Sequence, residues 1–142
     1  DGKVKTPTVT VTSADGKTVD SANYDISYAN GRKDAGTYDV KVTFKGNYTG
    51  SLTTKFTIAK ANQSLKIKLP KKKMKVGAKA KIKITANKGH GKVTYKVSNK
   101  KIAKIKKGKL VALKKGKVKL TVTLKATKNY KQKKVTIIIK VK

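Results

Sequence analysis

Residues 114–142, KKGKVKLTVTLKATKNYKQKKVTIIIKVK, repeat a plan that residues 34–58, DAGTYDVKVTFKGNYTGSLTTKFTI, have already followed. Each stretch contains a glycine, an alternating apolar strand, a polar turn with an Asn-Tyr pair, and a second alternating strand. Alternation with a period of two, bounded by Gly and Asn, predicts an antiparallel hairpin with one buried face. Two such endings predict two tandem domains, covering residues 1–60 and 61–142.

Further short strands are predicted before each of these hairpins. In the first piece they cover residues 6–12 and 23–28. In the second piece they cover residues 65–69, 80–86, 93–97, 102–105 and 110–113. No stretch has helical periodicity, and short strands with turn signals at this spacing are typical of a sandwich. We therefore predict an all-β fold of two small immunoglobulin-like β-sandwich domains in tandem.

Two segments of the chain are predicted to have no regular structure. Residues 59–64, AKANQS, are interpreted as a short polar linker between the domains. Residues 71–77, KKKMKVG, are interpreted as a basic connection that closes on a glycine turn. No run of eighteen apolar residues is present, so we expect no transmembrane segment.

Charge divides the chain unevenly. All six acidic residues and nine of the 38 basic residues lie before residue 61, so the first piece carries +3 and the second +29. Such asymmetry between two halves predicts a polyanionic partner for the basic half. Self-repulsion among like charges destabilises a compact state, and solubility needs a net charge of only roughly 2 to 8 in a small domain. The excess therefore favours a binding role.

The first piece resembles a family of short bacterial immunoglobulin-like repeats, which occur in secreted surface proteins of Gram-positive bacteria. The residues that carry the resemblance are Tyr24–Tyr28, Asn30-Gly31, Ala35–Tyr38, Gly46–Gly50 and Phe56–Ile58. They cover most of residues 3–59 in order and spacing. The resemblance implies that residues 1–60 act as a spacer.

The second piece is similar to a group 2 bacterial immunoglobulin-like domain, the intimin and invasin type of surface adhesins. The matching residues are Val76-Gly77, Val93–Tyr95, Ser98-Asn99, Ile102-Ala103, Ile105, Gly108, Leu110–Leu113, Gly116 and Asn129-Tyr130. The resemblance implies an extracellular location, secreted or on a bacterial cell surface, within a longer multidomain chain. That family does not require a lysine at nearly every solvent position, so polyanion binding is not implied by the resemblance.

The sequence contains few residues suited to catalysis. There is no cysteine, and His90, the single histidine, lies between two glycines in a tight turn. Without Cys, Glu or a second His, no metal-ligand set of sensible spacing exists, and we expect no cofactor. Tyr48 and Tyr130 follow asparagines at strand entries, where a tyrosine more often packs on the core than stacks on a sugar. The prediction is a non-enzymatic protein.

The lysines are the remaining candidates for function. Their densest groups are Lys71, Lys72 and Lys73, followed by Lys106, Lys107, Lys109, Lys114, Lys115 and Lys117. Lysine is a point charge that tolerates many geometries, which suits irregular anionic polymers such as cell-wall teichoic acid or host glycosaminoglycans. We predict that these nine lysines make first contact with such a polymer.

Two alternatives remain open at this stage. Both domains could be structural stalk repeats of a surface protein, with a charge that only reflects a solvated surface. Nucleic-acid binding ranks third and would be non-specific, because base reading favours arginine forks and Arg32 is the only arginine.

Overall fold

The computed structural model describes the whole chain, residues 1–142, and contains twelve strands and one turn of 3-10 helix. The chain folds into two compact units, Asp1–Lys60 (unit 1) and Ala61–Lys142 (unit 2). The predicted all-β, immunoglobulin-like fold class is confirmed.

The strands are short and are joined mostly by turns. Unit 1 contains the 3-10 turn Ser21–Asn23, then β1 (Tyr24–Tyr28), β2 (Gly36–Phe44) and β3 (Ser51–Ile58). Unit 2 contains β4 (Leu65–Lys68), β5 (Lys73–Met74), β6 (Lys79–Lys81), β7 (Lys83–Ala86), β8 (Val93–Val97), β9 (Ala103–Lys106), β10 (Lys109–Ala112), β11 (Gly116–Leu124) and β12 (Lys133–Val141).

Unit 1 is built on one antiparallel sheet in the order β1-β2-β3. Alternation along β2 turns Val40 and Val42 inward, and both are buried. Val11 and Val19, from the segment before β1, pack with Val42 and form a small core. The sheet is therefore covered on one face by chain that precedes it.

The predicted strand at residues 6–12 is wrong. Burial alternates through Pro7, Val9 and Val11 as in a strand, but the segment makes only one isolated bridge, between Thr12 and Thr18. The segment has no ladder of backbone hydrogen bonds to a neighbouring strand. A side chain contacts it instead, since the Tyr28 hydroxyl donates to the Pro7 carbonyl at 2.7 Å. Alternation reports which face is buried and does not report whether a hydrogen-bonding neighbour exists.

Unit 2 is a sandwich with most of its core between two sheets. The larger sheet has the order β5-β12-β11-β8 and the smaller has the order β6-β10-β9, while β4 and β7 form a separate pair. Fourteen buried apolar residues form one cluster that draws on both sheets, and Leu110, Leu120 and Leu124 in it are fully buried. The core of unit 2 is therefore continuous from sheet to sheet.

Two strand predictions in unit 2 need correction. The single strand at residues 80–86 is two strands, because β6 pairs with β10 whereas β7 pairs with β4. Ile82, buried between them, is the point at which the chain changes sheet. The basic connection at residues 71–77 includes β5, which pairs in parallel with the end of β12 and buries Met74. A two-residue strand is too short to leave a periodic signal.

The predicted linker, residues 59–64, is also wrong in its second half. Ala61 bridges to Tyr130, and Gln63 is only 4% exposed. The Gln63 amide nitrogen donates to the carbonyls of Lys125 at 3.0 Å and Lys131 at 2.6 Å, and its oxygen accepts from the Gly91 N–H at 2.7 Å. A buried amide with its donors and acceptor satisfied belongs to the folded unit, so unit 2 begins at Ala61.

Candidate polyanion-binding surface

Every lysine of unit 2 is exposed. The alternation that buries Val118 and Leu120 turns Lys117 and Lys119 to the outer face, and the same rule applies on the other strands. Unit 2 has no aspartate or glutamate, so no acidic side chain within it compensates this charge. The result is a sandwich with lysine on both outer faces.

The larger sheet aligns three lysines in a row across its outer face. Lys140 lies opposite Lys117 on one side and opposite Lys73 on the other. Neighbouring strands lie about 4.8 Å apart, so the row repeats one charge at each strand. We call Lys73, Lys140 and Lys117 the β5-β12-β11 row.

The smaller sheet carries a second row of three lysines. Lys109 lies opposite Lys106 on β9 and opposite Lys81 on β6. We call Lys81, Lys109 and Lys106 the β6-β10-β9 row. Like charges directly opposite each other in a sheet are destabilising, so each row stores repulsion that an anion lying across it would relieve.

Lys107 lies at the tip of the hairpin that joins β9 and β10. It has a positive φ of 47°, and Gly108 after it has a φ of 70°. Two successive left-handed residues form the turn whose twist suits a two-residue hairpin, a position at which Asn or Asp is usual before Gly. The turn presents the exposed Lys107 beyond the end of the β6-β10-β9 row.

The structure does not bring the nine predicted lysines into one patch. Lys114 and Lys115 follow β10, where the Lys114 N–H donates to the Ile102 carbonyl at 3.2 Å, so they lie at the opposite end of that strand from Lys107. Lys71 and Lys72 precede β5, and the Lys72 carbonyl accepts from the Lys140 N–H at 2.9 Å. Two groups result, one around each row. The first contains Lys71, Lys72, Lys73, Lys114, Lys115 and Lys117, and the second contains Lys106, Lys107 and Lys109.

Sequence reasoning did not single out Lys81 and Lys140 as row partners. Alternation shows that both point outward, but cross-strand register decides which lysines lie side by side. Register between strands far apart in the chain leaves no local pattern in the sequence.

The other candidate side chains are accounted for within their own units. His90 is exposed, and its Nδ1 lies 2.8 Å from the Gly91 carbonyl oxygen. Tyr48 is 43% exposed and its ring centre lies 6.3 Å from that of Phe44, so it covers the end of the unit 1 sheet only in part. Tyr130 is half-buried and bridges to Ala61, and Tyr95 packs on the core.

Unit 1 differs from this surface because it contains all the acidic side chains of the chain, and four of its nine basic residues are paired with them. Four lysines form ion pairs with aspartates, all on exposed side chains; the pairs are Lys5–Asp1, Lys17–Asp15, Lys45–Asp25 and Lys55–Asp39. Arg32 has a structural role, since its Nε donates to the Lys5 carbonyl at 2.9 Å and its guanidinium lies 4.9 Å from the centre of the Tyr28 ring. No helix in the structure has both the length and the apolar character needed to cross a bilayer.

Comparison with known proteins finds a family model that matches part of unit 2, and one similar solved structure. Domains 4 and 5 of the S-layer protein SbsC are similar in structure, with a TM-score of 0.43 and 19% identity over 94% of this chain and 80% of that one. No curated protein matches the chain in sequence. Residues 70–135 match the family model of the bacterial Ig-like domain (group 2), a family of non-enzymatic immunoglobulin-like domains.

Proposed function

We propose that this chain is a non-enzymatic extracellular module of a bacterial surface protein, in which unit 1 is a spacer and unit 2 binds anionic polymers by electrostatics. One observation carries the proposal: every lysine of unit 2 is exposed, and no acidic side chain of that unit compensates them. The match of residues 70–135 to a bacterial Ig-like family supports the surface location and the absence of catalysis.

The arrangement of the lysines favours polymers over compact anions. The β5-β12-β11 and β6-β10-β9 rows lie on different sheets, and exposed lysines continue between and beyond them. An extended anion that crosses several strands meets one ammonium group at each of them. Binding then proceeds by release of counterions, for which log affinity falls about linearly with log salt. Teichoic acid and sulfated glycosaminoglycans have this extended, regularly charged chemistry.

Two observations favour these polymers over nucleic acid as the proposed partner. Unit 2 has no arginine to form a bidentate contact with a base. Tyr95 packs on the core and Tyr130 is half-buried, so neither presents a free ring face on which successive bases could stack.

A structural stalk is the second candidate function, and unit 1 favours it. Six aspartates reduce the net charge of unit 1 to +3, and its surface has no lysine row comparable to those of unit 2. If unit 2 has the same role, its charge is a solvated surface and no polymer binds.

The test measures binding of the full chain to heparin, poly(glycerol phosphate) and duplex DNA at several salt concentrations. We expect the first two polymers to bind with a steep salt dependence. Replacement of Lys81, Lys106 and Lys109 by Gln should lower the slope of log affinity against log salt by about two to three units, by analogy with about 0.9 per phosphate on DNA.

The matched control is Lys17→Gln, Lys45→Gln and Lys55→Gln, which removes the same charge from unit 1, where each lysine is paired with an aspartate. It should leave the slope unchanged. Absence of binding to all three polymers at low salt would support the stalk. Tighter binding of DNA than of the other two polymers would support nucleic-acid binding.

A further inference from the structure

A cleft of about 540 Å³ opens on one side of the unit 2 sandwich. It is lined by residues of β5 and β6, by the segments beside them, and by Lys142, which follows β12. β5 is the last strand of the larger sheet and β6 is the last strand of the smaller one, and they are only two and three residues long. Because these edge strands are short, the space between the two sheets stays open here.

The floor of the cleft is apolar. Met74 and Ala80 line it and also belong to the buried core, and Pro70 and Ala78 complete the apolar surface. The cleft therefore leads toward the hydrophobic interior of the sandwich. Its volume lies within the range of about 300–1,000 Å³ that is usual for small-molecule sites, which are mostly apolar with a few placed polar groups.

The rim of the cleft is cationic. Lys71, Lys73, Lys75 and Lys79 line it and are exposed. A lysine keeps its ammonium group in water while its methylene stem covers apolar surface, so these side chains extend the apolar wall and place their charges at the mouth. Unit 2 has no aspartate or glutamate, so no acidic side chain of that unit opposes an anion at the mouth.

We propose that this cleft binds a single-chain anionic amphiphile, with its alkyl chain on the floor and its phosphate or other anionic head group among the rim lysines. The proposal rests on the proposed function for the charge of the rim and goes beyond it in the apolar floor, which a polyanion does not use. The lining has no aromatic ring, so it lacks the flat stacking surface that a sugar would need.

Met74 provides a direct readout because it is the only methionine in the chain. In the 142-residue chain, its side-chain methyl group labelled with carbon-13 gives a single NMR signal from the cleft floor. Decyl phosphate, kept below its micelle concentration, should shift this signal to saturation. Inorganic phosphate, which has the head group alone, and decyl maltoside, which has the same tail on an uncharged head group, should not do so at the same concentration.

Chain length gives a second signature of the same site. In the series butyl, hexyl, octyl and decyl phosphate, each added methylene that becomes buried should tighten binding by roughly fourfold. The gain should stop once the cleft is filled. Affinity that does not depend on chain length would overturn the proposal, because it would place only the head group on the protein.

Two variants test the location. Ala78→Leu fills the cleft without a change of charge and should abolish the saturable shift, while Ala22→Leu, at an exposed alanine of unit 1, should not change it. Since a larger residue at Ala78 can disturb packing, a rim variant with Lys71, Lys75 and Lys79 replaced by Gln provides an independent test. It should weaken decyl phosphate at least tenfold more than the same three changes at Lys92, Lys125 and Lys134, which do not line the cleft.

Measurements with heparin and with decyl phosphate can fail independently, so they test polyanion binding and the cleft proposal separately. Ala78→Leu should leave heparin affinity unchanged, because heparin uses the exposed lysines. If heparin binds but decyl phosphate never shifts the Met74 signal, the cleft proposal is wrong and polyanion binding stands. If decyl phosphate binds and heparin does not, the cleft stands and polyanion binding fails. An equal shift with decyl maltoside also overturns the proposal, since the rim lysines would then have no role.

Discussion

The two closing hairpins share a plan but differ in their place within the sheet. In unit 1, β3 is the last strand of the sheet, and Leu52 on it is 60% exposed although its cross-strand partner Val42 is buried. In unit 2, β5 and β8 flank the corresponding hairpin, and Ile139 and Val141 are buried. The same alternation therefore buries more apolar surface when further strands continue the sheet on both sides.

The two units also differ in core size and in charge. Unit 1 has three residues in its buried cluster and carries +3, whereas unit 2 has fourteen in its cluster and carries +29. Apolar burial stabilises by roughly 25 cal/mol per Å², while like charges at a surface repel more weakly because water and salt screen them. A larger core in unit 2 thus offsets more of the repulsion among its surface charges. The predictions below test this contrast.

The largest expected effect comes from Gly91→Ala in unit 2. A Cβ at this position would lie 1.8 Å from the carbonyl oxygen of Lys125, which is backbone and cannot turn aside. We expect a loss of about 4 kcal/mol or more in the free energy of unfolding of unit 2, at the severe end of single substitutions. Hydrogen exchange with mass spectrometry should show peptides of residues 61–142 losing protection, while those of residues 1–60 keep it.

Gly89→Ala is the matched control for this change. Gly89 has a φ of 75°, and a Cβ there would lie 3.7 Å from the Tyr130 ring, in ordinary contact. Its cost should be only about 1–2 kcal/mol, that of a left-handed conformation. Equal loss of protection in both variants would show that the close approach of Gly91 to Lys125 does not hold unit 2 together.

Gln63→Leu should have the next largest effect. It keeps the approximate volume but removes every hydrogen bond of the buried amide, leaving the Gly91 N–H and the Lys131 carbonyl without this partner. We expect unit 2 to lose about 2–4 kcal/mol in denaturant unfolding. The control, Gln132→Leu, changes an exposed glutamine of the same unit and should stay within about 0.5 kcal/mol of the wild type. If the two variants unfold alike, Gln63 contributes no more than a surface residue.

Much of the fold was predictable, because alternation and glycine turns are local signals. Both hairpins, β1 and the strands of unit 2 around Ile67, Tyr95 and Leu110 were predicted from such signals and are confirmed. The failures have one origin. The segment at residues 6–12, the split at Ile82 and the role of Gln63 depend on which distant backbone lies alongside, and that information is not local.

For the candidate surface too, the sequence predicts local features but not which residues of distant strands lie side by side. Alternation predicted that the lysines face outward, and every lysine of unit 2 is exposed. It could not show that Lys109 lies between Lys81 and Lys106, or that Lys114 and Lys107 lie at opposite ends of a strand. The cleft over Met74 was not predictable from the sequence for a related reason. Residues 71–77 show no strand pattern, and the two strand edges that face each other across the cleft belong to different sheets.

A rise in salt concentration should change the stability of unit 2 more than that of unit 1, by less than the two substitutions above. Screening at a Debye length of about 10 Å in 0.1 M salt, against about 3 Å in 1 M, weakens the repulsion among the lysines of unit 2. We expect unit 2 to gain on the order of 1 kcal/mol, or about 4–8 °C in melting temperature, as sodium chloride rises over that range. Unit 1, whose exposed ion pairs are also screened, should change little and serves as the internal control. A melting temperature of unit 2 that does not respond to salt would mean that its repulsion is negligible.

Acid should produce the smallest and most selective effect, because all six carboxylate side chains lie in unit 1. A hydrogen bond from Ser13, and a second interaction with Lys17, hold the pKa of Asp15 below its ordinary value of 3.8. A carboxylate whose pKa is lower in the folded than in the unfolded state stabilises the fold above the unfolded pKa, and this contribution is lost as the pH falls through the folded pKa. Unit 1 should therefore lose stability below about pH 4, and Asp15→Asn should reduce that loss. Unit 2, with no acidic side chain to protonate, should keep its hydrogen-exchange protection, corrected for intrinsic rates, from about pH 5 to pH 2. If both units lost protection together over this range, the charge contrast would not control their separate stabilities.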